Sequence, residues 1–485
     1  MKRLLCVFLL VMVGSFFLAG TAFAEISFFG TAKIKPTWYS NFDFNNDKND
    51  ALIVNEAGLT KGQHVRAELR LGWKASGEKW KVMMIAEVDS IMEKDNADRS
   101  FYVLAADDNG KERQPNTGAE FGIERCEFTY SFLPQLELES GWNIRFLDIK
   151  TGGLLYGDDH PFVGFRGKIT DSTNYEVLYI PIQNRIALKS EGPFDDKDHN
   201  DWEVYTAKLN YSFGKMEDTP PDSPFYANRS FGLTVSPFFA YSDNNSWNCD
   251  LQYYGLEVTG QTGPIKPYFE IVLNHGDFDD NRDIKSWAMF GGVELPVNKA
   301  FNPYVAFRFT QGDDDSSDND VEGWVGITDI GRFTGLLGMD GNILGEDLGQ
   351  SYGATLYSYS PERALSTNRY GGISNNGSGD NPGQKLLAIG SRGDLSGILQ
   401  GLLYKTQAFF IWYDETDNLT NAKDPGKKVD DYAGTTVDVQ LLYAFSKNFS
   451  IDYIFSTFIP GKGQEDVQDA NDPAFVNMLT MAWSY

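Results

Sequence analysis

The stretch Val65–Ala75, VRAELRLGWKA, decides the fold. Val65, Ala67, Leu69, Leu71, Trp73 and Ala75 fall on one face, and Arg66, Glu68, Arg70, Gly72 and Lys74 on the other. After the turn residues Ser76-Gly77-Glu78-Lys79, a second run sets Trp80, Val82, Met84, Ala86 and Val88 against Lys81, Glu87 and Asp89. Successive strand side chains point to opposite faces, so Val65–Asp89 predicts a hairpin with one apolar and one charged wall. Trp73 and Trp80 flank the turn where a transmembrane β-barrel carries an aromatic girdle. A soluble antiparallel sheet alternates too, its apolar face on a core. The beginning, the connections and the end of the chain therefore have to decide.

Residues 1–24 carry Lys2 and Arg3, an apolar run from Leu4 to about Ala19, and Ala22-Phe23-Ala24 ahead of Glu25. A basic start, a short apolar centre and a small-x-small site predict a cleaved signal peptide, which takes Cys6 with it. No second apolar stretch of about 18 residues follows, so no transmembrane helix is expected. If 25–485 is integral to a membrane, it must be a closed barrel, the remaining way to satisfy every backbone group in lipid.

The chain has 68 acidic and 42 basic residues, a formal net charge of −26, which argues against nucleic acid as a partner. Aromatics at 14% and 48 glycines fit an all-β protein. Cys126 and Cys249 could pair in an oxidising compartment or stand free on the wall. His64, His160, His199 and His275 show no metal spacing, and no C-x-x-C-H motif for haem occurs. No cofactor, metal or catalytic residue is expected.

The first strand is expected at about Ile26 to Tyr39. Others follow the opening hairpin at Glu124–Phe132, Leu136–Phe146, Phe162–Ile169, Tyr175–Ile182, Trp202–Phe213, Gly232–Tyr241, Leu251–Gly260 and Ile265–Asn274. Ile284–Leu295, Pro303–Gln311 and about Val321–Ile330 continue the series. Between Gly331 and Gln384 one strand is placed near Tyr352–Tyr359, and Gly371–Gly383 reads as loop. The last part gives Leu386–Arg392, Leu402–Asp414, Tyr432–Phe445, Phe449–Phe458 and Phe475–Tyr485. Long connections alternate with short ones such as Leu133–Gln135, Thr170–Thr173 and Lys447-Asn448. An outer-membrane barrel predicts that alternation, with long extracellular loops and short periplasmic turns. The expected fold is all-β, a single closed antiparallel transmembrane barrel of about 18 strands (roughly 16 to 20).

The final strand, FVNMLTMAWSY, places Phe475, Leu479, Met481, Trp483 and Tyr485 on one face, with Asn477 interrupting it. An aromatic end behind alternating apolar residues is similar to the signal by which the barrel-assembly machinery recognises its clients. Outer-membrane lipid, lipopolysaccharide and that machinery, through Tyr485, are the expected partners.

His160-Pro161-Phe162-Val163-Gly164-Phe165-Arg166, followed by Tyr175-Glu176-Val177-Leu178-Tyr179, resembles the Phe-x-Gly-x-Arg segment of alginate-export-type outer-membrane porins. The last hundred residues resemble the same broad group, with Asn381-Pro382-Gly383 leading into a strand, two closing hairpins and a loop with Pro460-Gly461. The resemblance implies a monomeric barrel of about 18 strands that passes solutes. It carries no motif specific enough to imply alginate itself.

With apolar residues toward lipid, the opposite face is expected to line a pore through Lys33, Lys35, Arg66, Arg70, Lys74, Lys81, Arg125, Arg145, Arg166, Lys168, Lys208, Lys266, Lys285, Arg308 and Lys405. Acids on that face are fewer: Glu68, Glu87, Asp89, Glu127, Glu137, Glu139, Glu270, Asp438 and Asp452. The rest of the acid gathers in loops, at Asp107-Asp108, Asp195-Asp196, Asp279-Asp280 and Asp313-Asp314-Asp315 with Asp318 and Asp320. Charges lining a pore select ions by sign, so one reading is an anion-favouring lumen behind an acidic mouth. The other is a ladder of balanced pairs with little selectivity. Asp313–Asp320 offers hard oxygens for calcium but lacks helix-loop-helix spacing, which favours a solvated loop. Gly152-Gly153-Leu154-Leu155-Tyr156, or Gly331–Gly349, could fold inward and narrow the pore.

The expected function is an outer-membrane porin for passive diffusion of small hydrophilic solutes, with anions or acidic sugars preferred, and no enzyme. Two alternatives stand beside it. One is the barrel sheath of a multi-protein conduit, such as one for electron transfer. The other is a secreted soluble polysaccharide-binding β-protein, for which paired carboxylates such as Glu137 with Glu139 would be the starting point.

Overall fold

The computed structural model describes residues 25–41, 53–55, 58–60, 63–91, 119–148, 154–158, 160–186, 199–214, 231–245, 248–278, 281–329 and 382–485. Among the described residues, most of the alternating stretches are strands. The wall strands are β1 (Glu25–Ser40), β2 (Gln63–Ser76), β3 (Trp80–Ile91), β4 (Ala119–Leu133), β5 (Leu136–Trp142) and β6 (Pro161–Thr170). Next come β7 (Thr173–Ile186), β8 (His199–Gly214), β9 (Phe231–Asn244), β10 (Cys249–Thr262), β11 (Lys266–Phe278) and β12 (Arg282–Glu294). The circuit ends with β13 (Asn302–Thr310), β14 (Gln384–Asp394), β15 (Leu402–Tyr413), β16 (Tyr432–Ser446), β17 (Phe449–Pro460) and β18 (Ala474–Ser484).

Each strand pairs antiparallel with the next, and β18 returns to β1 with Met481 opposite Ile34 and Ala482 opposite Lys33. The result is a closed barrel of 18 strands with no free edge. The opening hairpin has the expected register: Glu68 faces Asp89, Arg70 faces Glu87 and Trp73 faces Met84.

Phe28, Leu71, Ile123, Phe165, Tyr205, Phe213, Tyr254, Leu273 and Phe445 are exposed on the outer face. Tyr179, Tyr205 and Tyr241 form one ring of aromatics, with centroids 5.2 and 6.4 Å apart, near the rim that carries the long connections. Tyr211 with Phe213, and Phe449 with Trp483, mark a second ring toward the rim that holds both chain ends. From Tyr205 to Phe213 the strand rises on the order of 26 Å before tilt, at about 3.3 Å per residue. That matches the ~25 Å apolar band of a membrane barrel. Asn477, which interrupts the outer face of β18, accepts a hydrogen bond from the Tyr453 hydroxyl at 2.8 Å.

Most long connections lie on one rim and most short ones on the other, but the alternation is imperfect. Residues 215–230 connect β8 to β9 at the short-turn rim, while β9–β10 and β11–β12 are joined on the opposite rim by 245–248 and 279–281. Leu136–Phe146 is not one strand: β5 stops at Trp142, and Arg145–Phe146 pairs with Tyr156–Asp158 inside. The segment expected as a strand at Val321–Ile330 is not part of the wall. Asp320–Val321 lies parallel to Asp283–Ile284, Thr328–Asp329 lies parallel to Tyr156–Gly157, and Trp324, Val325 and Ile327 are buried between. Its apolar residues meet other apolar residues in the lumen, not lipid. The expected strand at Tyr352–Tyr359, the loop at Gly371–Gly383 up to residue 381, the Gly331–Gly349 stretch and residues 1–24 lie outside the described residues.

A short helix, α1 (Lys462–Gln468), occupies the β17–β18 connection, which reads as loop from sequence. Ala422 N–H donates to the Asp466 carbonyl at 2.7 Å, and the Tyr413 hydroxyl donates to Gln464 Oε1 at 3.1 Å. These bonds tie it to the β15–β16 loop and to the top of β15.

Candidate functional site

Register fixes which residues look inward, because every second residue of a strand shares a face. The inward set divides into two arcs of different chemistry.

The first arc, β1 to β6, is charged. Glu68, 3% exposed, receives Lys33 at 2.8 Å, Lys35 at 2.9 Å and Arg70 at 3.2 Å. Arg70 continues to Glu87 and, at 3.1 Å, to Glu124, which also meets Arg125 at 3.7 Å. Beside this group, Arg145 contacts Glu139 at 2.6 Å and Glu127 and Glu176 at 3.6 Å, with its guanidinium 4.1 Å from the Phe162 ring. Arg166 bridges Glu137 at 2.6 Å and Glu139 at 3.1 Å. The Phe-x-Gly-x-Arg segment thus sits on β6 with Phe162, Gly164 and Arg166 inward. Gly164 has no room for a side chain, since a Cβ would lie 2.2 Å from the Val177 carbonyl oxygen. Lys74, Lys81 and Lys168 share this inward face near the short-turn rim, and Arg66 lies buried beside Lys35.

The second arc, β7 to β18, is filled. Toward the loop rim its inward residues are apolar: Leu178, Ile180, Val204, Ala240, Leu251, Tyr253, Ile284, Ala288 and Phe458 are all 4% exposed or less. Two segments fold in against them. Leu154-Leu155-Tyr156, one of the two stretches expected to narrow the lumen, is 0–1% exposed, anchored by Leu155 N–H to Asp148 Oδ2 at 2.7 Å. Trp324 packs edge-on to Tyr253 at 6.2 Å and donates its indole N–H to the Leu154 carbonyl at 3.1 Å. Ile327 N–H donates to the Leu155 carbonyl at 2.9 Å, and Asn274 holds the Val325 carbonyl at 3.2 Å. Lys208 ties this insert to the wall, bonding the Leu147 carbonyl at 3.0 Å and Glu257 at 2.8 Å. Phe238 lies over Gly255, where a Cβ would come within 1.9 Å of the ring, so glycine is required at that position.

Toward the short-turn rim the same arc is polar but closed. Arg392 pairs bidentately with Glu294 at 2.7 and 2.9 Å, and Lys266 approaches Glu294 at 3.8 Å. The Tyr304 hydroxyl donates to Gln407 Oε1 at 2.5 Å, Gln407 donates to Asp438 at 2.7 Å, and Gln440 donates to Asp452 at 2.8 Å. Arg308 and Lys405 are inward and buried, at 1% and 2% exposed.

Of the residues expected to line a pore, Lys285 is a correction. It lies on the outer face of β12, opposite His275 of β11, whereas Ile284, Ser286, Ala288 and Phe290 point inward. On β12 the apolar parity is the inner one, because the lumen there is dry. The sequence reading also missed Glu124, Glu176, Glu257, Glu294 and Arg392. Carrying strand parity along each segment finds Glu176, Glu257 and Arg392, while Glu294 is lost with the inverted parity of β12. Glu124 escapes because the register slips between Ile85 and Ala86, placing it beside Arg125. With these acids added, the basic lean of the wall narrows sharply. Cys126 and Cys249 lie on opposite faces of the wall and are not bridged by a disulfide.

At the loop rim, Asp313 is 1% exposed and braces its own loop, accepting Glu322 N–H at 3.1 Å and Asn418 Nδ2 at 3.1 Å. Burial, then Asp314, Asp313, Asp318 and Asp320, push the Glu322 carboxyl above its ordinary range. Burial, then Asp414 and Asp314, do the same to Glu415. Among the described residues, no group of three or more His, Cys, Asp or Glu is arranged to hold a metal ion.

No protein-family model and no curated protein matches the chain. Solved structures do. The crystal structure of Pseudomonas aeruginosa OccK2 (OpdF) in complex with glucuronate aligns with TM-score 0.50 at 10% identity, over 95% of this chain and 96% of that one. P. aeruginosa OccK11 (OpdR) aligns with TM-score 0.49 at 10% identity, over 95% of each chain. P. aeruginosa OpdK with vanillate gives 0.47 at 11%, over 95% of this chain and 98% of that one. At such identity the likeness is one of fold, a closed antiparallel barrel of 18 strands.

Proposed function

We propose that the protein is a porin of a bacterial outer membrane, a channel for passive diffusion of small hydrophilic solutes. The observation that carries this is the pairing of an apolar, aromatic-ringed outer face with a charged arc on the inner face of one closed barrel. Lipid suits the first and water the second. The rim with both chain ends is then periplasmic and the loop rim extracellular. The leader at 1–24, removed before assembly, the contact of the Tyr485 end with the assembly machinery, and lipopolysaccharide around the outer girdle belong to the same reading.

Within the porin class, the preferred solutes are small anions, acidic sugars among them. The cationic side chains of the open arc speak for this, as does OccK2 (OpdF), of the same fold, whose crystal holds glucuronate. The Phe162–Arg166 likeness to alginate-export-type porins supports the porin class and not a particular substrate. A barrel sheath threaded by a partner fits less well, since Trp324 and Leu154–Tyr156 occupy the lumen on one side. A soluble polysaccharide-binding protein would not leave Phe28, 77% exposed, and its neighbours in water.

Reconstitution in planar bilayers tests the reading. Discrete conductance steps and a reversal potential on the anion side are expected. A purified mature chain that is monodisperse without detergent and opens no steps would overturn it.

A further inference from the structure

The charges of the open arc are not compensated evenly along the barrel. Midway, Lys33, Lys35 and Arg70 share Glu68, Arg145 and Arg166 share Glu139, and Arg166 also holds Glu137. At the periplasmic end two cavities of about 420 and 350 Å³ open side by side on the inner wall, with Arg166 lining both. Lys74 and Lys81 line the first and Lys168 the second. Among the described residues, none of these three lysines makes an ion pair.

The acids that line the same cavities are already engaged. Glu127 accepts Asn143 at 2.5 Å and meets Arg145 at 3.6 Å, Glu137 accepts Ser131 at 2.5 Å and pairs with Arg166, and Glu176 meets Arg145 at 3.6 Å. Glu25, at the edge of β1, is the remaining carboxylate. Three lysine ammoniums therefore face one uncommitted acid.

We infer that this periplasmic vestibule is a binding station for small organic anions bearing carboxylates. The inference rests on the porin reading and deepens it, moving the point of selection from the mouth or the middle of the lumen to its exit. Mid-lumen cations are held by fixed carboxylates, and a passing anion must compete with these. The vestibule lysines offer hydrated point charges on flexible stems with no ion-paired carboxylate to displace. The cavities have the size of small-ligand pockets. Such a site binds weakly enough to release, which conduction requires.

The test is single-channel recording on the mature chain in planar bilayers, with citrate added to one side at a time. The wild-type channel is expected to show citrate-induced current block that is several-fold stronger from the periplasmic side. The triple variant Lys74→Gln, Lys81→Gln, Lys168→Gln is expected to lose most of that block and several-fold of its anion-over-cation permeability. The charge-keeping variant Lys74→Arg, Lys81→Arg, Lys168→Arg, which guards against a folding defect, is expected to restore both, and Lys285→Gln on the outer wall to leave them unchanged. A conducting triple variant with wild-type block and selectivity would overturn the station alone. A wild-type chain that opens no channel would overturn the porin reading and the station with it.

Discussion

The arc from β1 to β6 and the arc from β7 to β18 are built from the same alternating strands, yet their inner faces obey opposite rules. Along the first, the inner residue is charged and its outer neighbour apolar, as Arg66, Glu68 and Arg70 against Leu69 and Leu71 show. Along the second, both faces carry apolar residues near the loop rim: Ile284 and Ala288 inward, Trp287 and Met289 outward. What differs is the neighbour across the lumen. The inner residues of the first arc pair charge with charge among themselves, and the folded-in segments around Leu154–Tyr156 and Trp324–Ile327 pack against the second. A barrel of this strand number is wider than a single solute path needs, so filling one side confines the path to the other and gives it a charged wall.

Four measurements would break or sharpen this contrast. The largest effect is expected from Trp324→Ala. Removing a buried aromatic costs about 3–5 kcal/mol of packing, and here the cost falls on the insert. Conductance should rise several-fold and residues 311–329 should become open to protease, while the barrel stays folded in detergent. An unchanged conductance would mean that the insert does not set the pore.

Next comes Glu68→Gln, which leaves Lys33, Lys35 and Arg70 facing one another without their shared carboxylate. Losing one partner of a buried pair typically costs about 3–5 kcal/mol, less where water can enter. Anion selectivity by reversal potential should increase several-fold, with a lower melting temperature. A shift toward cations would contradict the placement of Glu68 on the conducting side.

Acidification should have a smaller effect. The Glu322 and Glu415 carboxyls are raised by burial and by neighbouring acids. A carboxyl raised in the folded state favours the ordered loops fully below its unfolded value of about 4.3. That contribution is lost as pH climbs through the raised value. Hydrogen exchange in 311–329 and 414–431, corrected for intrinsic rate, should therefore be slower in mild acid than at neutral pH. Glu322→Gln with Glu415→Gln should remove most of the difference. The smallest effect is expected from Lys285→Gln: no change in conductance or selectivity, because its side chain is on the outer wall.

The alternation in VRAELRLGWKA, the aromatic spacing and the aromatic-ended face of FVNMLTMAWSY were enough to specify strands, a closed barrel and its approximate size. Period-two patterning needs only nearest neighbours along the chain, and a chain without long apolar helices has one way to satisfy its backbone in lipid. Arg70, Arg166 and Lys208 were legible as inward residues for the same reason.

Parity alone cannot say which side of a strand is wet, and there the tertiary structure decided. Lys285 was misplaced because the apolar side of β12 faces the insert, a fact set by the separate segments Val321–Ile327 and Leu154–Tyr156. Val321–Ile330 carries strand-like apolar residues but buries them inside the barrel. Glu124 depends on a slip of register between strands. Which cations are compensated depends on acids brought from other strands, as Glu139 is to Arg145 and Glu294 to Arg392. Local sequence thus set the wall and its outer surface. The filling of the lumen, and with it the path left for a solute, came from long-range packing that no single segment encodes.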